Sequence, residues 1–481
     1  MRRVFLGIDC GTQSTKVVLR DASDGGVVRV GRAESDIVER DDGTREQDPE
    51  WWTAALVAAT RDALRDERVE VAGIGVSGQQ HGLVALDERD RPVRRAKLWN
   101  DTTTATQASE LTERLGGPER ALELTGNLPL PGYTASKVVW LRQREPDAYA
   151  RTARMCLPHD YLNLWLTGMF ATEPGDASGT AYFDVRSRRY SDAVLAAIDD
   201  RRDWTRTLPP VRPSISVIGT LRSEAADALG ISAGTPVSAG GGDNMCAAIG
   251  SGITAPGPVA LSLGTSGVVS TYCDSPSVDP EGEAAAFCDS TGAWLPLACT
   301  LNCTSATEWI RSLFALAHRD VDAAVRAEGP TPAFVPYLSG ERTPNRPQAS
   351  GVFAGLRPDH DRAALVRAVV EGVTFGLGYA LETLRRAGAA PQEITLVGGG
   401  AASDAWAQLC ADVLKLEVVR PQLVEAAAGG AARQAQWAID GAMPELAHAR
   451  AERFAPQPRA ALADRGAIWS QLREASGASH L

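Results

Sequence analysis

The chain has 481 residues, 44% of them hydrophobic and 23% charged, and a formal net charge of -11. That length exceeds what one hydrophobic core normally organises, so two domains of roughly 200 to 250 residues are expected. The composition excludes disordered and fibrous classes, and the acidic balance argues against a nucleic-acid partner while leaving room for a local basic cleft.

The start, MRRVFLGIDCG, lacks the apolar core and cleavage site of a signal peptide. No run reaches the roughly 18 apolar residues of a span, so no membrane partner and a cytoplasmic location are expected. Residues 4–8 (VFLGI), 16–20 (KVVLR) and 27–30 (VVRV) read as strands, the first two joined by the turn-rich loop DCGTQST. From Asp48, DPEWWTAALVAATRDALRD offers an acidic N-cap, Pro49 at the first helical position and an apolar face through Trp52, Leu56 and Ala59. The segment 71–76 (VAGIGV) adds a strand that ends at SGQQHG, which completes the opening of an α/β domain.

The second half repeats this grammar. After GGGDN at 240–244 comes a helix over Asp243 to Ile249, then the Gly/Pro run SGITAPGP, which puts a domain break near 247–258 and divides the chain into 1–247 and 248–481. VALSLGTSGVVSTY reads as two strands around a GTSG turn. A long helix over about 361–387 feeds the strand EITLVGGG, and a further helix follows with Ser403 as its cap. GIDCGTQSTKVV matches LSLGTSGVV, and IGVSGQQ matches ITLVGGG, as strand-and-turn units of a duplicated domain. The cleft between two such halves is the default ligand site.

Eight cysteines occur with no CxxC pair. Cys299 and Cys303 are spaced to share a helical face, but no histidine accompanies them, so reduced thiols are the simpler reading.

Several constellations carry chemistry. The loop Asp9 to Lys16 supplies a carboxylate, amides around Gly11, hydroxyls and a lysine, which suits phosphate and an aqua-magnesium ion, although such hairpin turns also occur without phosphate. Gly264-Thr265-Ser266-Gly267 is a second donor cradle, and Gly398 to Gly400 leave room for a ring or ribose, or else for tight strand-to-helix packing. Asp243, at a helix start where peptide dipoles favour its ionised form, suits a base for phosphoryl transfer or an ordinary N-cap. His81 in SGQQHG and Trp99, Asn100 and Asp101 in LWNDT suit polyol recognition, while a lone histidine is as readily structural. The segment PYLSGERTPNRP, with Glu341, Arg342 and Arg346, is a surface loop or part of the site. A dinucleotide oxidoreductase is excluded, because no glycine cluster here presents GxGxxG in the required context.

The stretches GIDCGTQSTK, SGQQHG, LWND, GNLPLPGYTASKVVWLRQREP, LPHDYLNLWLTG, GDASGT, AGGGDN, LSLGTSG, PYLSGERTP, GVFAGL and LVGGGAASDAWAQLCAD follow one another over about residues 4 to 440. In that order they resemble the FGGY family of carbohydrate kinases. The resemblance implies an α/β fold of two actin-like (ribonuclease H-like) domains with an interdomain cleft, the first binding sugar and the second nucleotide. It implies ATP with Mg2+ as phosphate donor, the 5-hydroxyl of D-xylulose as acceptor, and a homodimer; the alternatives are another ketose or polyol, or a non-catalytic nucleotide-binding protein on the same scaffold. By the family pattern Asp243 looks like the catalytic base, and Gln80, His81, Trp99, Asp101, Asp243 and Asn244 like the sugar-binding set. Gly11, Thr12, Gln13, Lys16, Gly264, Thr265, Gly399 and Gly400 look like nucleotide contacts, with Asp9 and Asp243 at the metal.

Some positions depart from the pattern. The family usually has Met where Gln80 stands, often an Arg where Thr102 to Thr104 follow Asp101, and FCH with WH where this chain has Asp289 and Leu295. EAAAGGAARQA also lacks a usual proline. These changes are expected to retune which sugar fits while sparing the phosphate-handling core.

Overall fold

The structure, a computed structural model, describes residues 1–446, 451–457 and 459–478. Strands β1 (Arg2–Cys10), β2 (Ser14–Asp21) and β3 (Val27–Glu34) form an antiparallel meander. Helix α1 (Pro49–Leu64) starts where the sequence places it: the Asp48 side chain accepts the Glu50 amide, and Trp52, Leu56 and Ala59 are buried. It delivers the chain to β4 (Val69–Gly78), which runs parallel to β1. A long excursion containing α2 (Thr134–Arg144) and α3 (Pro158–Thr167) precedes β5 (Val217–Thr220), β6 (Pro236–Ser238), β7 (Gly241–Gly242) and α4 (Asp243–Ser251). The sheet order is β5-β6-β4-β1-β2-β3, with β7 also on β4.

The second half contains β8 (Pro258–Leu263), β9 (Gly267–Thr271), β10 (Leu297–Thr300) and α5 (Thr304–Leu313). After these come α6 (Arg362–Arg386), β11 (Glu393–Val397), α7 (Asp404–Leu414), β12 (Glu417–Pro421), α8 (Ala426–Asp440) and β13 (Ala451–Phe454). Its sheet order is β10-β9-β8-β11-β12-β13. In each sheet three antiparallel strands are followed by two strands parallel to the first, so β1 corresponds to β8, β2 to β9 and β4 to β11. These are the pairs that the sequence repeats suggest.

Helix α6 is long and apolar enough to cross a membrane, but 78% of its apolar window is buried, which makes it the core helix of the second half. Cys299 lies in β10 and Cys303 caps α5, so the expectation of one shared helical face is wrong; strand geometry intervenes between them. All eight cysteines are free thiols.

Helix α8 crosses back from the second half to cover the first sheet. A Cβ added at Gly7 would lie 1.8 Å from the Ala428 carbonyl oxygen, and one at Gly75 would lie 2.1 Å from that of Ala431. Against α4 the approach is mutual, with Gly430 facing the Cys246 carbonyl at 1.8 Å and Gly250 facing that of Ala426 at 2.0 Å. Only glycine allows helix backbone to rest directly on strand or helix backbone.

Candidate active site

The carboxyl ends of β1, β4 and β7 converge. Asp9 and Gly241 both pair in register with Ser77, and Asp243 opens α4 two residues later. Ser77 Oγ donates to Asp9 Oδ1 at 2.9 Å. Burial pushes the Asp9 carboxyl up to about 6, against the Ser77 hydrogen bond and the Lys16 charge. Burial, then the charge of Asp9, pushes Asp243 up to about 7. Two crowded carboxylates of this kind favour a proton or a cation between them.

Asn244 fixes Asp243 from its own helix. Its amide N and Nδ2 donate to Asp243 Oδ1 at 2.7 and 3.0 Å, and Nδ2 donates also to Gln80 Oε1 at 2.9 Å. Since a carboxylate only accepts, Asn244 must present its NH2 group, which makes the facing Gln80 atom the oxygen. Gln80 Nε2 is therefore left as a buried donor with no hydrogen-bond partner among the described residues. Gly242 permits this proximity, because a Cβ there would lie 2.8 Å from Gln80 Nε2.

His81 has a left-handed backbone, φ 66°, that non-glycine residues rarely adopt. Its carbonyl accepts from Lys137 Nζ at 2.7 Å and Thr134 Oγ1 at 3.1 Å, both on α2, and these bonds hold the conformation. Nδ1 lies 2.7 Å from the Gly179 carbonyl oxygen, which only accepts, so Nδ1 carries the proton and Nε2 is free to accept. Burial first, and then the Lys137 and Arg342 charges, hold this ring well below its usual pKa and therefore neutral.

Trp99 and Asp101 behave differently from one another. The Trp99 indole, 37% exposed, donates to Thr12 Oγ1 at 3.0 Å, which in turn donates to Gln79 Oε1 at 3.0 Å. These bonds tie the LWND segment to the loop Asp9 to Lys16. Asp101 is fully buried: one oxygen accepts from Lys97 Nζ and the Arg45 amide, the other from the amide and hydroxyl of Thr103. Its acceptor positions are filled within the protein.

Gly11 closes the first loop with an amide bond to the Ser14 carbonyl at 3.1 Å, and Gln13 is exposed at its tip. Lys16 pairs with Glu425, just before α8, at 2.6 Å. In the second half the two glycine turns meet side by side: Gly398, φ 90°, sits 2.8 Å by its would-be Cβ from the Leu263 backbone, just before Gly264. The Gly264 carbonyl accepts from the Thr304 amide, and that of Thr265 from Ser305 Oγ. Thr265 and Gly399 are exposed, and a Cβ at Gly399 would meet nothing within 4 Å, whereas one at Gly400 would press on Leu263 and Trp406.

Of the departures from the family pattern, Gln80 alone contacts the Asp243-Asn244 pair. Asp289 accepts the amides of Thr291, Gly292 and Ala293 and so caps its own turn. Leu295 is a fully buried core residue beside Phe287 and Tyr133. Thr103 bonds Lys97 and Asp101, and Thr104 bonds Pro131 and Ser136. Among the described residues Asp289, Leu295 and these threonines make no hydrogen bond to Asp243, Asn244 or Gln80. Sequence reasoning passed over Tyr133, Lys137 and Phe287, although Tyr133 and Phe287 pack 4.6 and 5.9 Å from the His81 ring. The motif GYTASK was the signal for Tyr133 and Lys137, and the departing FCD stretch the signal for Phe287. Arg342, from PYLSGERTP, lies 5.7 Å over Tyr133 and brings the second half to this pocket.

Two mixed sheets of the same strand order define an actin-like two-domain ATPase fold. The family model for the N-terminal domain of the FGGY carbohydrate kinases matches residues 4–250 and that for the C-terminal domain matches 259–439, and the chain belongs to this family. It is 42% identical to a xylulose kinase of Haemophilus influenzae over 90% of each chain. It is 40% identical to one of Streptomyces rubiginosus over 92% of this chain and 89% of the relative. A solved structure of a xyloylose kinase from Brucella ovis superposes with TM-score 0.92 and 34% identity over 99% of both chains. The protein is thus an enzyme that phosphorylates a sugar, with ATP implied as co-substrate.

Proposed function

We propose that the protein transfers the γ-phosphoryl group of ATP to the 5-hydroxyl of D-xylulose, giving D-xylulose 5-phosphate and ADP. The names of its relatives support the sugar, and one geometric observation supports the chemistry: Asp243 stands at a helix start, held by Asn244 beside Gln80 and next to Asp9. Asp243 takes the hydroxyl proton as the new O–P bond forms and the bond to the β-phosphate oxygen breaks. Its elevated pKa makes it a stronger base than an ordinary carboxylate while leaving it ionised above pH 7.

In this reading residues 1–247 carry the sugar and 248–481 the nucleotide. Gln80, His81, Trp99 and Asn244 meet the sugar: His81 Nε2 accepts from a hydroxyl, Gln80 Nε2 donates to one, and Trp99 covers the carbon skeleton. Asp101 shapes this wall through Lys97. Gly11, Thr12, Gln13 and Lys16 face the phosphates, and Gly264, Thr265, Gly399 and Gly400 line the nucleotide, where the open space at Gly399 supports the fit.

Asp9 and Asp243 fit a Mg2+ ion, because both are hard oxygen donors and the Asp9 charge acts on the buried Asp243, a repulsion a dication would relieve. Bound there, Mg2+ would neutralise charge on the phosphates. The eight free cysteines suit the reducing cytoplasm.

The test is ADP release by the purified protein on a panel of pentuloses, hexuloses and polyols. D-xylulose is expected to give the highest kcat/KM. A panel in which D-xylulose stays at the ATPase background while another sugar turns over would refute the substrate.

A further inference from the structure

Behind the turn that delivers Asp243 lies a buried charged cluster with no part in the chemistry above. His159, in the first turn of α3, is fully buried, with both ring nitrogens engaged. Nε2 is 2.7 Å from the Ala239 carbonyl oxygen, while Nδ1 is 2.9 Å from Asp176 Oδ2 and 3.2 Å from Asp160 Oδ1. A backbone carbonyl only accepts, so Nε2 carries a proton; a second one at Nδ1 meets Asp176 Oδ2, while Asp160 Oδ1 and Asp176 Oδ1 have no hydrogen-bond partner among the described residues. Asp160, Asp176 and Glu173, the titratable groups around the ring, are buried as well, and an imidazolium is the cation that compensates them. Burial alone would lower the pKa of this ring, but those carboxylates raise it to about 10.

The Ala239 carbonyl accepts also from Asn163 Nδ2 at 2.9 Å. The next residue, Gly240, has φ 73°, donates its amide to Gln434 Oε1 at 2.9 Å and accepts from Gln434 Nε2 at 2.7 Å. The turn is therefore gripped by α3 on one side and by α8 on the other. There is no slack at the ring: a Cβ at Gly78 would lie 2.7 Å from His159 Cβ, and one at Gly240 would lie 3.2 Å from its Cδ2.

We infer that charged His159, paired with Asp176, is a positioning residue that clamps the Ala239–Gly240 turn and thereby sets where Asp243 meets the acceptor. The inference rests on the reading of Asp243 as the group facing the acceptor hydroxyl. His159 acts through backbone, without touching substrate.

The test compares His159→Gln, which is neutral but keeps an N–H donor, with His159→Lys, which keeps the charge, and with Asp176→Asn. His159→Gln and Asp176→Asn should lower kcat roughly 10- to 100-fold, with the ATP KM within about threefold, because a small displacement near the reacting atoms has effects of that order. His159→Lys should recover most of the loss. In ¹⁵N histidine NMR at pH 8, the wild-type protein should show one ring with both nitrogens protonated, absent from His159→Gln and retained in Asp243→Asn. That wild-type signal decides the charge even if His159→Gln does not fold, and Asp176→Asn then tests the clamp. Unchanged kcat in His159→Gln or Asp176→Asn, a lysine variant as slow as the glutamine one, or a neutral ring at pH 8 overturns the proposal. So does a stoichiometric divalent metal that His159→Gln releases, since the ring would then carry a lone pair to it. An active Asp243→Asn variant would instead remove the underlying reading, whatever His159 does.

Discussion

On the proposed sugar wall, Gln80, His81 and Asn244 are each fixed by hydrogen bonds within the protein, and His81 holds an unfavourable backbone angle to do so. At the glycine turns of the second half, Thr265 and Gly399 stand exposed, and the shape comes from missing side chains rather than from placed ones. A small, hydroxyl-rich acceptor gains from donors and acceptors already oriented, whereas a long polyphosphate needs main chain it can approach. In the proposed function, rigid polar groups select the substrate and bare backbone admits the donor.

The sharpest way to break this contrast is Asp243→Asn, which removes proton acceptance from the preorganised wall. Its kcat should fall by roughly a thousandfold or more while the ATP KM stays within about threefold, measured by coupled ADP release. Glycines come next, because the same substitution should act oppositely in two places. Gly7→Ala drives a methyl group into the Ala428 carbonyl and should destabilise the fold by about 3 kcal/mol or more in urea titrations. Gly399→Ala meets no protein atom, so its stability should change by less than about 0.5 kcal/mol while the ATP KM rises severalfold.

Acidity offers a third test. Since Asp243 must be ionised to act, kcat/KM should fall about tenfold per pH unit below about 7. Stability runs the other way. The folded pKa lies above the unfolded one, so the folded state binds this proton more tightly, and the associated stability is present below about pH 4 and lost as pH rises through 7. Asp243→Asn should therefore raise the Tm by a few degrees at pH 8 and lose that advantage near pH 4, as read by thermal melts. The smallest effect belongs to Gln80→Met, which deletes the free Nε2 donor; a shift of about tenfold or less in relative kcat/KM among pentuloses is expected from a sugar panel.

Much of this was legible beforehand where the signal is local. The strands at 4–8, 16–20 and 27–30, the Asp48 and Ser403 caps and both Gly-Thr hairpins follow from alternation, capping chemistry and turn residues. The duplication was visible for the same reason, because equal strand-and-turn grammar dictates equal strand order. What stayed hidden depends on which groups face one another. Asp101 reads as a sugar-binding carboxylate and Asp289 as a position that retunes the sugar, but their oxygens are filled by Lys97, Arg45 and nearby amides. His159 and Asp176 are 17 positions apart and become partners only because the chain folds back on α3. The covering of the first sheet by α8 joins residues over 400 apart, such as Gly7 and Ala428, and no periodicity reports a contact of that span.

That last packing carries a consequence for how the protein comes into being. The glycine-floored face of β1 and β4 finds its cover only after Asp440 has emerged from the ribosome, and Arg3 is then tied to Asp440 by two hydrogen bonds. The amino-terminal domain, though translated first, cannot complete its packing until residues 426–440 have been made. A gene truncated after the first half should yield an insoluble fragment, and supplying the missing half in trans should rescue it.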